Sequence, residues 1–544
     1  GAINIAKEAV FEKATYIGGV AGCTKFSVDN CTNSGDISIA GTYNGQTYIA
    51  GNTAWIFANL KTNKVVGANN SGDITITGDA SFTKFGGLPA AYSTAVTATD
   101  VNPYIAGCTA TGNTALDNSD NTGHISIEAG EQLKGGYLIG GITANTSKWV
   151  TNCENSGNIE IKEGAIIAGN GFISGGVAIT TGQGVKNVTN RGAINIYGTN
   201  SARFYIGGCL AQSCLDATDE GKEIFTNLKN YGQINLKGTM DGGSASTNMG
   251  GVICYIKGNA AKLYNYAEAT ITVNYKASSS NFNVGGIAVD ADSHLVDVEN
   301  HADINISGPT AGSTNSVFVG GLVAHHSGTS NRTNCSNSGN INFSTTSAPT
   351  SIAIGGLFMS GVRLNCLNCH NSGNITVESF GLNTAGNKDA NFTCGGLFAR
   401  LMDAAPHATL SNCTNSGAIS VDGSNCDGTI SVGGIFANMT STATTLQVVG
   451  DSANNIGLIN SGNITINGGI VSAETSGSSS AIGAGYVMYS STGGSILAKT
   501  DKIEINGGTV VATQTDSYEE YPVIGGLYGF DNINISGGHI TVSH

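Results

Sequence analysis

The sequence predicts an all-β fold, a single-stranded parallel β-solenoid with about fourteen coils of about 35 residues each. The first observation is a seven-residue phrase, Asn-x-Gly-x-Ile-x-Ile, that recurs through most of the 544 residues, in some copies degenerate. Eight of the eleven spacings between its asparagines are 34 to 40 residues, and the others are 44, 45 and 51. A fixed period of this size is typical of stacked repeats. The repeated asparagines are Asn33, Asn70, Asn121, Asn155, Asn190, Asn230, Asn265, Asn300, Asn337, Asn371, Asn415 and Asn460.

The second observation is that each repeat contains three short stretches with strand character. Besides Ile-x-Ile, there is an apolar-Gly-Gly-apolar stretch, as at residues 206–210, and a stretch before the asparagine, as at 334–337. All three are apolar or β-branched and end in Gly, Asn, Ser or Asp. No segment carries a sustained apolar pattern at helical spacing. We therefore predict three strands per coil, which become stable only when successive coils stack.

The repeated asparagine is best explained by stacking. Amide side chains at one corner of successive coils can hydrogen-bond along the axis and satisfy backbone groups of the turn. The glycine two residues later is predicted to supply a positive φ. Where that glycine becomes Ala267 or Ala302, the corner should be distorted or differently built.

Cysteine occupies one repeat position, two residues before the asparagine. Cys31, Cys153, Cys335, Cys369 and Cys413 share it, and the last three fall in successive coils. Parallel side chains on stacked strands suit the disulfide dihedral poorly, so we predict a ladder of buried thiols. Local pairs, Cys209 with Cys214 or Cys366 with Cys369, remain open as alternatives. The Cys366-x-x-Cys369-His370 spacing also resembles a metal or haem motif, which we disfavour because Cys369 belongs to the ladder.

Composition excludes several classes of partner. With 24 basic and 38 acidic residues the net charge is −14, which argues against binding to nucleic acid and to anionic membranes. No run of 18 apolar residues exists, so no transmembrane segment is predicted. The chain starts within a repeat, at Gly1, and we expect it to be a mature fragment or part of a longer chain. The lack of a signal peptide then says nothing against secretion.

The phrases Gly-Gly-apolar-apolar-Ala and Asn-Cys-x-Asn-Ser-Gly-x-Ile resemble the GLUG-type repeat of bacterial surface proteins. The resemblance covers residues 17–466, and we assign 1–459 to these repeats. A variant phrase, Ile-x-Ile-x-Gly-Gly, occurs at 464–469, 503–508 and 533–538. It resembles repeats of calcium- and polysaccharide-binding β-helix proteins of anaerobic bacteria, and residues 460–544 are predicted to continue the solenoid. Both resemblances imply a right-handed β-helix, in agreement with the preference of parallel crossovers.

The resemblances also imply a secreted or cell-surface bacterial protein, exposed at the outer membrane, with a lipoprotein anchor as one option. Our leading hypothesis is a non-enzymatic adhesin-like scaffold that binds a glycan or a surface protein. It needs no cofactor, although Ca²⁺ could bind. The first alternative is a β-helix polysaccharide lyase or glycoside hydrolase. The second is a structural subunit or stalk of a larger surface complex.

One column of residues could carry chemistry. The residue four positions after each Gly-Gly pair differs in chemistry from one repeat to the next. In a stacked solenoid, residues at the same repeat position should be neighbours along the axis. An acid, an imidazole and a guanidinium would then line one edge. If the protein is an enzyme, Asp290 and His325 would be the acid/base pair and Arg400 the charge stabiliser. The simpler interpretation is that the column is a polar edge exposed to solvent. Contact with a ligand, without catalysis, is the third possibility. The column is Tyr255, Asp290, His325, Ser360, Arg400 and Asn438.

Three further clusters are weaker candidates. Asp290, Asp292 and His294 alternate on one strand and could hold a metal ion. Tyr518 and Tyr521 offer aromatic faces for sugar stacking beside two glutamates. An acidic loop could hold Ca²⁺ or be merely solvated. Its members are Asp216, Asp219, Glu220 and Glu223.

Overall fold

A computed structural model describes most of the chain as short strands and turns. Among the described residues no helix occurs, and accordingly none is long and apolar enough to cross a membrane. The described residues are 1–56, 64–83, 101–112, 114–180, 182–200, 202–213, 223–240, 246–274, 276–277, 281–292, 294–308, 316–325, 330–345, 348–362, 364–382, 391–403, 409–423, 429–434, 436–441, 447–449, 458–460, 464–467, 470–475, 482–483, 502–506, 509–514, 524–525, 532–536 and 539–543.

The chain divides into two compact units, residues 1–278 (unit 1) and 279–544 (unit 2). In each unit the strands of successive coils pair in parallel, so the predicted all-β parallel solenoid is confirmed. Each coil that is described throughout has four faces, one more than predicted. The reason is that the Gly-Gly pair is a corner, which splits the stretch around it into two strands. We number the faces by their place in the repeat, starting from Ile-x-Ile.

In unit 1, face 1 consists of the Ile-x-Ile strands and short strands after them. These are Ile3–Asn4, Val10–Phe11, Ile37–Tyr43, Ile74–Phe82, Ile125–Ile127, Gly130–Leu133, Ile159–Ile161, Ala165–Ile167, Ile194–Ile196, Thr199–Asn200, Ile234–Leu236, Thr239–Met240, Ile271–Val273 and Lys276–Ala277. Face 2 ends at the Gly-Gly corner. Its strands are Thr15–Gly18, Thr47–Ala50, Val101–Ala106, Gly136–Gly140, Gly171–Ser174, Phe204–Gly207 and Ser246–Gly250.

Faces 3 and 4 complete each coil of unit 1. Face 3 follows the Gly-Gly corner and comprises Ala21–Thr24, Thr53–Ile56, Thr109–Gly112, Thr143–Thr146, Val177–Thr180, Leu210–Ser213 and Ile253–Lys257. Face 4 ends on the repeated asparagine. Its strands are Val28–Asn33, Lys64–Asn70, Ala115–Asp117, Asp120–Asn121, Val150–Asn155, Val185–Asn190, Glu223–Asn230 and Asn259–Asn265.

Unit 2 also has faces 1 and 2. Face 1 comprises Ile304–Ser307, Ile341–Ser344, Ile375–Ser379, Ile419–Asp422, Ile464–Asn467, Lys502–Asn506 and Asn532–Ser536. Face 2 comprises Asn281–Gly285, Ser316–Gly320, Ser351–Gly355, Asn391–Gly395, Thr429–Gly433, Ile470–Thr475, Ile482–Gly483, Thr509–Gln514, Ile524–Gly525 and His539–Ser543. The variant repeats therefore continue the stack, with Ile464 opposite Ile503 and Ile503 opposite Ile533.

Faces 3 and 4 of unit 2 have fewer described strands than its face 2. Face 3 comprises Ala288–Asp292, Val323–His325, Phe358–Val362, Phe398–Asp403 and Phe436–Ser441. Face 4 comprises Leu295–Asn300, Ser330–Asn337, Leu364–Asn371, Thr409–Ser411, Cys413–Asn415, Gln447–Val449 and Leu458–Asn460. Seven coils of unit 1 and five of unit 2 have a described strand on face 3, slightly fewer than the predicted fourteen.

The asparagines form the predicted ladder. Asn155 illustrates it, since its Nδ2 donates to Gly157 O at 2.8 Å and to Asn190 Oδ1 at 2.9 Å. Its own Oδ1 accepts from Asn121 Nδ2 at 2.8 Å, and every step of the ladder has this direction. The ladder runs through Asn33, Asn70, Asn121, Asn155, Asn190, Asn230 and Asn265 in unit 1, and through Asn300, Asn337, Asn371 and Asn415 in unit 2. The side chain of Asn460 lies outside the described residues, although its backbone pairs with Asn415.

The glycine of the motif has a different role from the one predicted. None of the described ladder glycines has a positive φ. A Cβ on Gly157 would collide with the carbonyl group of Gly123 in the neighbouring coil, so glycine is needed for close axial packing. The prediction for Ala302 is wrong, since Asn300 still donates to Ala302 O at 2.9 Å. At Ala267 it is confirmed, because a turn closed by Ala269 N and Tyr266 O replaces the simple corner.

In each coil where the position is described, a left-handed residue precedes the ladder asparagine by three positions, a feature that the prediction missed. Asn187, with φ 53°, donates from Nδ2 to Asn152 Oδ1 at 2.8 Å and so forms a second, exposed ladder. Asn and Asp tolerate this conformation better than other residues with a Cβ. The residue is Asn, Asp or Gly in every described coil except one, where Lys262 has φ 58°.

The cysteines are buried thiols, as predicted. Cys335 lies opposite Cys369 on the neighbouring strand, and Cys153, Cys335, Cys369 and Cys413 are each at most 2 % exposed, whereas Cys31 is half-buried. Burial raises the pKa of Cys153 and Cys209 to about 12. The alternative of local disulfides is wrong, since Cys209, Cys366 and Cys369 are all free.

Apart from the ladder asparagines and other neutral polar groups, the core of the described residues is apolar, and Arg332 is its one charged side chain. The two isoleucines of Ile-x-Ile point inward and are at most 1 % exposed at Ile159, Ile161, Ile194 and Ile196. In unit 2, Arg332 is fully buried on face 4, opposite Leu295 and Cys366 of the neighbouring coils. Its Nη2 donates to Ala291 O at 2.7 Å.

Candidate functional site

The predicted column exists within each unit. In unit 2, Asp290 lies opposite His325, Ser360 opposite Arg400, and Arg400 opposite Asn438. In unit 1, Tyr255 lies opposite Gln212. Equal repeat positions are therefore axial neighbours, as the period predicts.

His325 and Arg400 come together, although their strands are separated by a third one. Both side chains lean onto the outer side of face 2. The imidazole meets the Phe318 ring edge-on at 5.0 Å between centroids, and the Arg400 guanidinium carbon lies 5.7 Å from the centroid of the same ring. His325 Nε2–H donates to Asn283 Oδ1 at 3.2 Å, and Arg400 Nη2 donates to Ser351 Oγ at 2.7 Å. We call this group of five residues the His–Arg angle.

The electrostatics of the His–Arg angle differ from those predicted for an acid/base pair. Burial, and second the positive charge of Arg400, lower the pKa of His325 to about 4, so the imidazole is neutral at pH 7. Burial lowers the pKa of Arg332, and three neighbouring cysteines and, after them, Asp290 oppose this shift. The charge that shifts the pKa of His325 is thus that of Arg400, two strands further along the stack.

The predicted metal candidates are not gathered into a site. Among the described residues no three His, Cys, Asp or Glu side chains are grouped as a metal ion requires. Asp292 is exposed, and His294 Nδ1 accepts the Asn331 N–H at 2.8 Å. Four other predicted residues, Tyr518, Tyr521 and the acidic loop members Asp216 and Asp219, lie outside the described residues, as do Glu220 and the side chain of Glu223.

An open polar groove on face 1 of unit 1 was not predicted. Its volume is about 380 Å³, and side chains of four consecutive coils line it. The x position of Ile-x-Ile points outward and supplies its floor. The lining residues are Asp73, Thr75, His124, Ile125, Ser126, Glu128, Asn158, Glu160, Lys162 and Asn195.

One wall of this groove is a column of acceptors. The residue after the motif glycine accepts a backbone N–H of the next coil: Asp73 Oδ1 from His124 at 2.8 Å, and His124 Nδ1 from Asn158 at 2.9 Å. The other wall holds an ion pair between Lys162 Nζ and Glu128 Oε1 at 2.8 Å. This hydrogen bond lowers the pKa of Glu128 and raises that of Lys162. Three carboxylates and one ammonium leave the groove acidic.

An aromatic corner lies further along unit 1, at the residue between the ladder asparagine and the glycine. Arg191 lies over the Tyr231 ring at 4.5 Å and pairs with Glu154 at 3.0 Å. Tyr231 and Tyr266 stack at 4.1 Å between centroids. The signal for both surfaces was in the sequence, since the variable positions of the motif are the ones that point outward.

Comparison with known proteins adds no assignment. No protein-family model, curated protein or solved structure matches the chain. The resemblance to GLUG-type repeats therefore stays a prediction, and so does a secreted or surface location.

Proposed function

We propose that the chain is a non-enzymatic binding scaffold of a secreted or cell-surface bacterial protein and that it recognises an extended glycan. The observation that carries the proposal is the polar groove of unit 1. Its lining comes from four consecutive coils, so it follows the stack and suits a chain-like ligand. No residue in it needs to perform chemistry for such a role.

The side chains of the groove match the groups that a sugar offers. Thr75, Ser126 and Asn195 present hydroxyl and amide groups, and Glu160 presents a carboxylate. Each can donate to or accept from sugar hydroxyls. The coil spacing of about 4.8 Å sets these groups out at regular steps along the groove. The excess of carboxylates favours neutral or amine-bearing glycans over acidic ones.

The test is a glycan array probed with the whole chain, followed by calorimetry on the best neutral or amine-bearing oligosaccharide. We expect Glu160→Ala to weaken that binding by about tenfold, since a hydrogen bond to a charged group contributes about 1.5–3 kcal/mol. Asn342→Ala is the matched control, because Asn342 occupies the same outward position in unit 2 and bonds Asn305 at 2.8 Å. Its affinity should equal that of the wild type.

Other outcomes would redirect the proposal. Stable co-purification with an outer-membrane complex, with no glycan retained on the array, would favour the structural subunit. Loss of binding only on changing Tyr518 and Tyr521 would move the site to the predicted aromatic loop. Chelation of Ca²⁺ during the array tests whether that ion contributes.

A polysaccharide lyase or hydrolase remains the second candidate, supported by one observation. The neutral imidazole of His325 lies beside the guanidinium of Arg400, and a base next to a charge stabiliser is what proton abstraction beside a carboxylate needs. Release of unsaturated or reducing sugar from acidic polysaccharides, lost in His325→Gln and in Asp290→Ala, would establish it. An absence of product over long incubation favours the binding role.

A further inference from the structure

A carboxylate, an imidazole and a hydroxyl are joined in sequence at the corner of two neighbouring coils of unit 2. His301 Nε2 lies 3.0 Å from Glu299 Oε2, and His301 Nδ1 lies 2.7 Å from Ser338 Oγ. Glu299 and His301 flank the ladder asparagine Asn300, and Ser338 follows the ladder asparagine of the next coil. We call these three residues the Glu–His–Ser group.

The asparagine ladder holds the two corners in register. Asn300 donates from Nδ2 to Asn337 Oδ1 at 2.7 Å, and its backbone carbonyl accepts the Ser338 N–H at 2.8 Å. His301 and Ser338, which directly follow these two asparagines, are therefore neighbours along the axis. The contact between the imidazole and the hydroxyl is thus supported by the same hydrogen bonds that hold the coils together.

The hydroxyl of Ser338 differs from those at the same corner of the next two coils. Ser372 and Ser416 have the same backbone hydrogen bond to the preceding ladder asparagine, at 2.8 Å. The hydroxyls of Ser372 and Ser416 also donate to the carbonyl of that asparagine, both at 3.4 Å. The Ser338 hydroxyl instead contacts an imidazole, because the preceding coil carries His301 at this position, where the other two serines follow a serine.

The carboxylate fixes which ring nitrogen of His301 carries the hydrogen. An ionised carboxylate can only accept, so Nε2 carries the hydrogen and donates to Glu299. In the neutral imidazole Nδ1 is then an acceptor, and the Ser338 hydroxyl donates to it. A serine hydroxyl that donates to an imidazole oriented by a carboxylate is the arrangement that activates serine as a nucleophile. The two ring nitrogens have exchanged places relative to the serine-protease triad, but either one can take a proton.

The Glu–His–Ser group is open to solvent. The side chains of Glu299 and His301 are 41 % and 37 % exposed, and Ser338 is exposed as well. A small electrophile can therefore reach the Ser338 Oγ atom without any opening of the fold.

We propose that Ser338 is an activated nucleophile that takes the acyl group of an activated ester, so that this corner of unit 2 is a site of covalent modification. The Oγ atom forms a bond to the ester carbonyl carbon while the hydroxyl proton moves to His301 Nδ1. The bond from that carbon to the leaving oxygen then breaks, and the leaving alcohol or phenol takes this proton. The products are an acyl-serine and the free alcohol or phenol.

Glu299 has a different role, because it contacts the imidazole and not the serine. It is a positioning residue that keeps His301 in the tautomer that accepts the serine proton. The site goes beyond the proposed binding role and does not depend on it, since it lies in unit 2 and the polar groove lies in unit 1.

The experiment treats the whole chain with p-nitrophenyl acetate at pH 8 and follows the acetylation of individual serines by peptide mass spectrometry. Assistance by a general base contributes about 10²–10⁴-fold, so Ser338 should be acetylated at least about 100-fold faster than Ser372. Ser372 is the matched control, because it has the same corner position and the same backbone hydrogen bond. Equal rates at the two serines would overturn the proposal, and this comparison needs no variant.

A variant of the base gives the second test. His301→Ala should lower the acetylation rate of Ser338 at least about 100-fold and leave that of Ser372 unchanged. Imidazole added to the solution should restore part of the lost rate, which would not happen if His301 were only structural. An unchanged rate in this variant, or a loss that imidazole does not reduce, would overturn the proposal.

The role of Glu299 has a spectroscopic readout. Nitrogen-15 NMR of the His301 ring at pH 8 should show the hydrogen on Nε2 in the wild type. Glu299→Gln should give a mixture of the two tautomers, because an amide can accept or donate, and it should slow the acetylation of Ser338. Hydrogen on Nδ1 in the wild type would overturn the proposal, since that nitrogen could then not take the serine proton.

Discussion

The angle between faces 2 and 3 is built twice, once in each unit, with different chemistry. In unit 1 it is aromatic: Tyr16 and Tyr48 stack at 5.2 Å, and Trp55 of face 3 meets both rings edge-on. In unit 2 the same positions hold His325, Arg400 and Phe318. The asparagine ladder behind the angle is the same in both units. The scaffold thus lies in the invariant positions of the repeat, and the chemistry lies in the variable ones.

The first and largest prediction tests the invariant part. Asn155→Ala in unit 1 and Asn337→Ala in unit 2 each remove two donated hydrogen bonds and leave buried partners without one. Each substitution should lower the unfolding free energy by about 3 kcal/mol, and this loss should be similar in the two units. Chemical denaturation followed by circular dichroism measures the loss.

Asn187→Ala is the control in the exposed ladder, and it should cost about 1 kcal/mol, because water replaces the lost hydrogen bond and the remaining cost is that of Ala at φ 53°. A cost in Asn337→Ala as small as that in the control would show that the two units are not held by the same device.

The second prediction concerns the angle, where the units differ. The folded pKa of His325 is about 4 and its ordinary value is 6.5, so the folded state binds fewer protons than the unfolded state between these values. The neutral imidazole therefore does not weaken the folded state above pH 6.5, and the unfolding free energy decreases as the pH falls from 6.5 towards 4. We expect a loss of about 2 kcal/mol for this half-buried group.

Hydrogen exchange of face 3 amides at pH 7 and pH 4.5 measures the effect in each unit. It should be localised in unit 2 and absent in His325→Gln. A loss of protection around Trp55 equal to that around His325 would contradict the comparison.

The third prediction exploits the one irregular left-handed residue. Lys262 of unit 1 has φ 58° where unit 2 has Asp297 with φ 54°. Lys262→Asn should stabilise the protein by about 1 kcal/mol, because Asn pays less for this conformation. The melting temperature reports it, and Asp297→Lys should give the opposite shift. Two shifts of the same sign would show that the φ preference of the residue does not determine the change in melting temperature.

The smallest effect is expected in the core of unit 1. The Tyr137 hydroxyl is fully buried and has no hydrogen-bond partner within the described residues, while Gly171 of the next coil leaves room for its ring. Tyr137→Phe should therefore change the unfolding free energy by less than about 1 kcal/mol, in the stabilising direction. Gly171→Ala is the contrasting variant, since its methyl group would collide with the Tyr137 ring. A clear destabilisation by Tyr137→Phe would indicate a partner for the hydroxyl.

Most of what could be predicted from the sequence followed from the repeat period. It placed Asn155 beneath Asn190 and Asp290 beside His325, because equal repeat positions must stack once the fold is a solenoid. It could not show that Arg400 reaches back over two coils, since the length and direction of a side chain are not periodic. Arg332 was missed because its column otherwise holds Leu295, Cys366 and Leu410, which favours an apolar residue. The second ladder was missed because the stretch before the ladder asparagine, as at 334–337, was predicted as regular strand, although its first residue has a positive φ.

The ladder keeps its register although successive asparagines are separated by as few as 34 and as many as 51 residues. The additional residues lie between the strands. The number of coils and the length of the loop in each coil can therefore vary independently. Excising the residues from 122 to 155 would remove one complete turn and join Asn121 to the chain that now follows Asn155. Asn121 would then take the place of Asn155 beneath Asn190, so a lineage could add or remove turns by unequal recombination while the ladder re-forms between the turns that become neighbours.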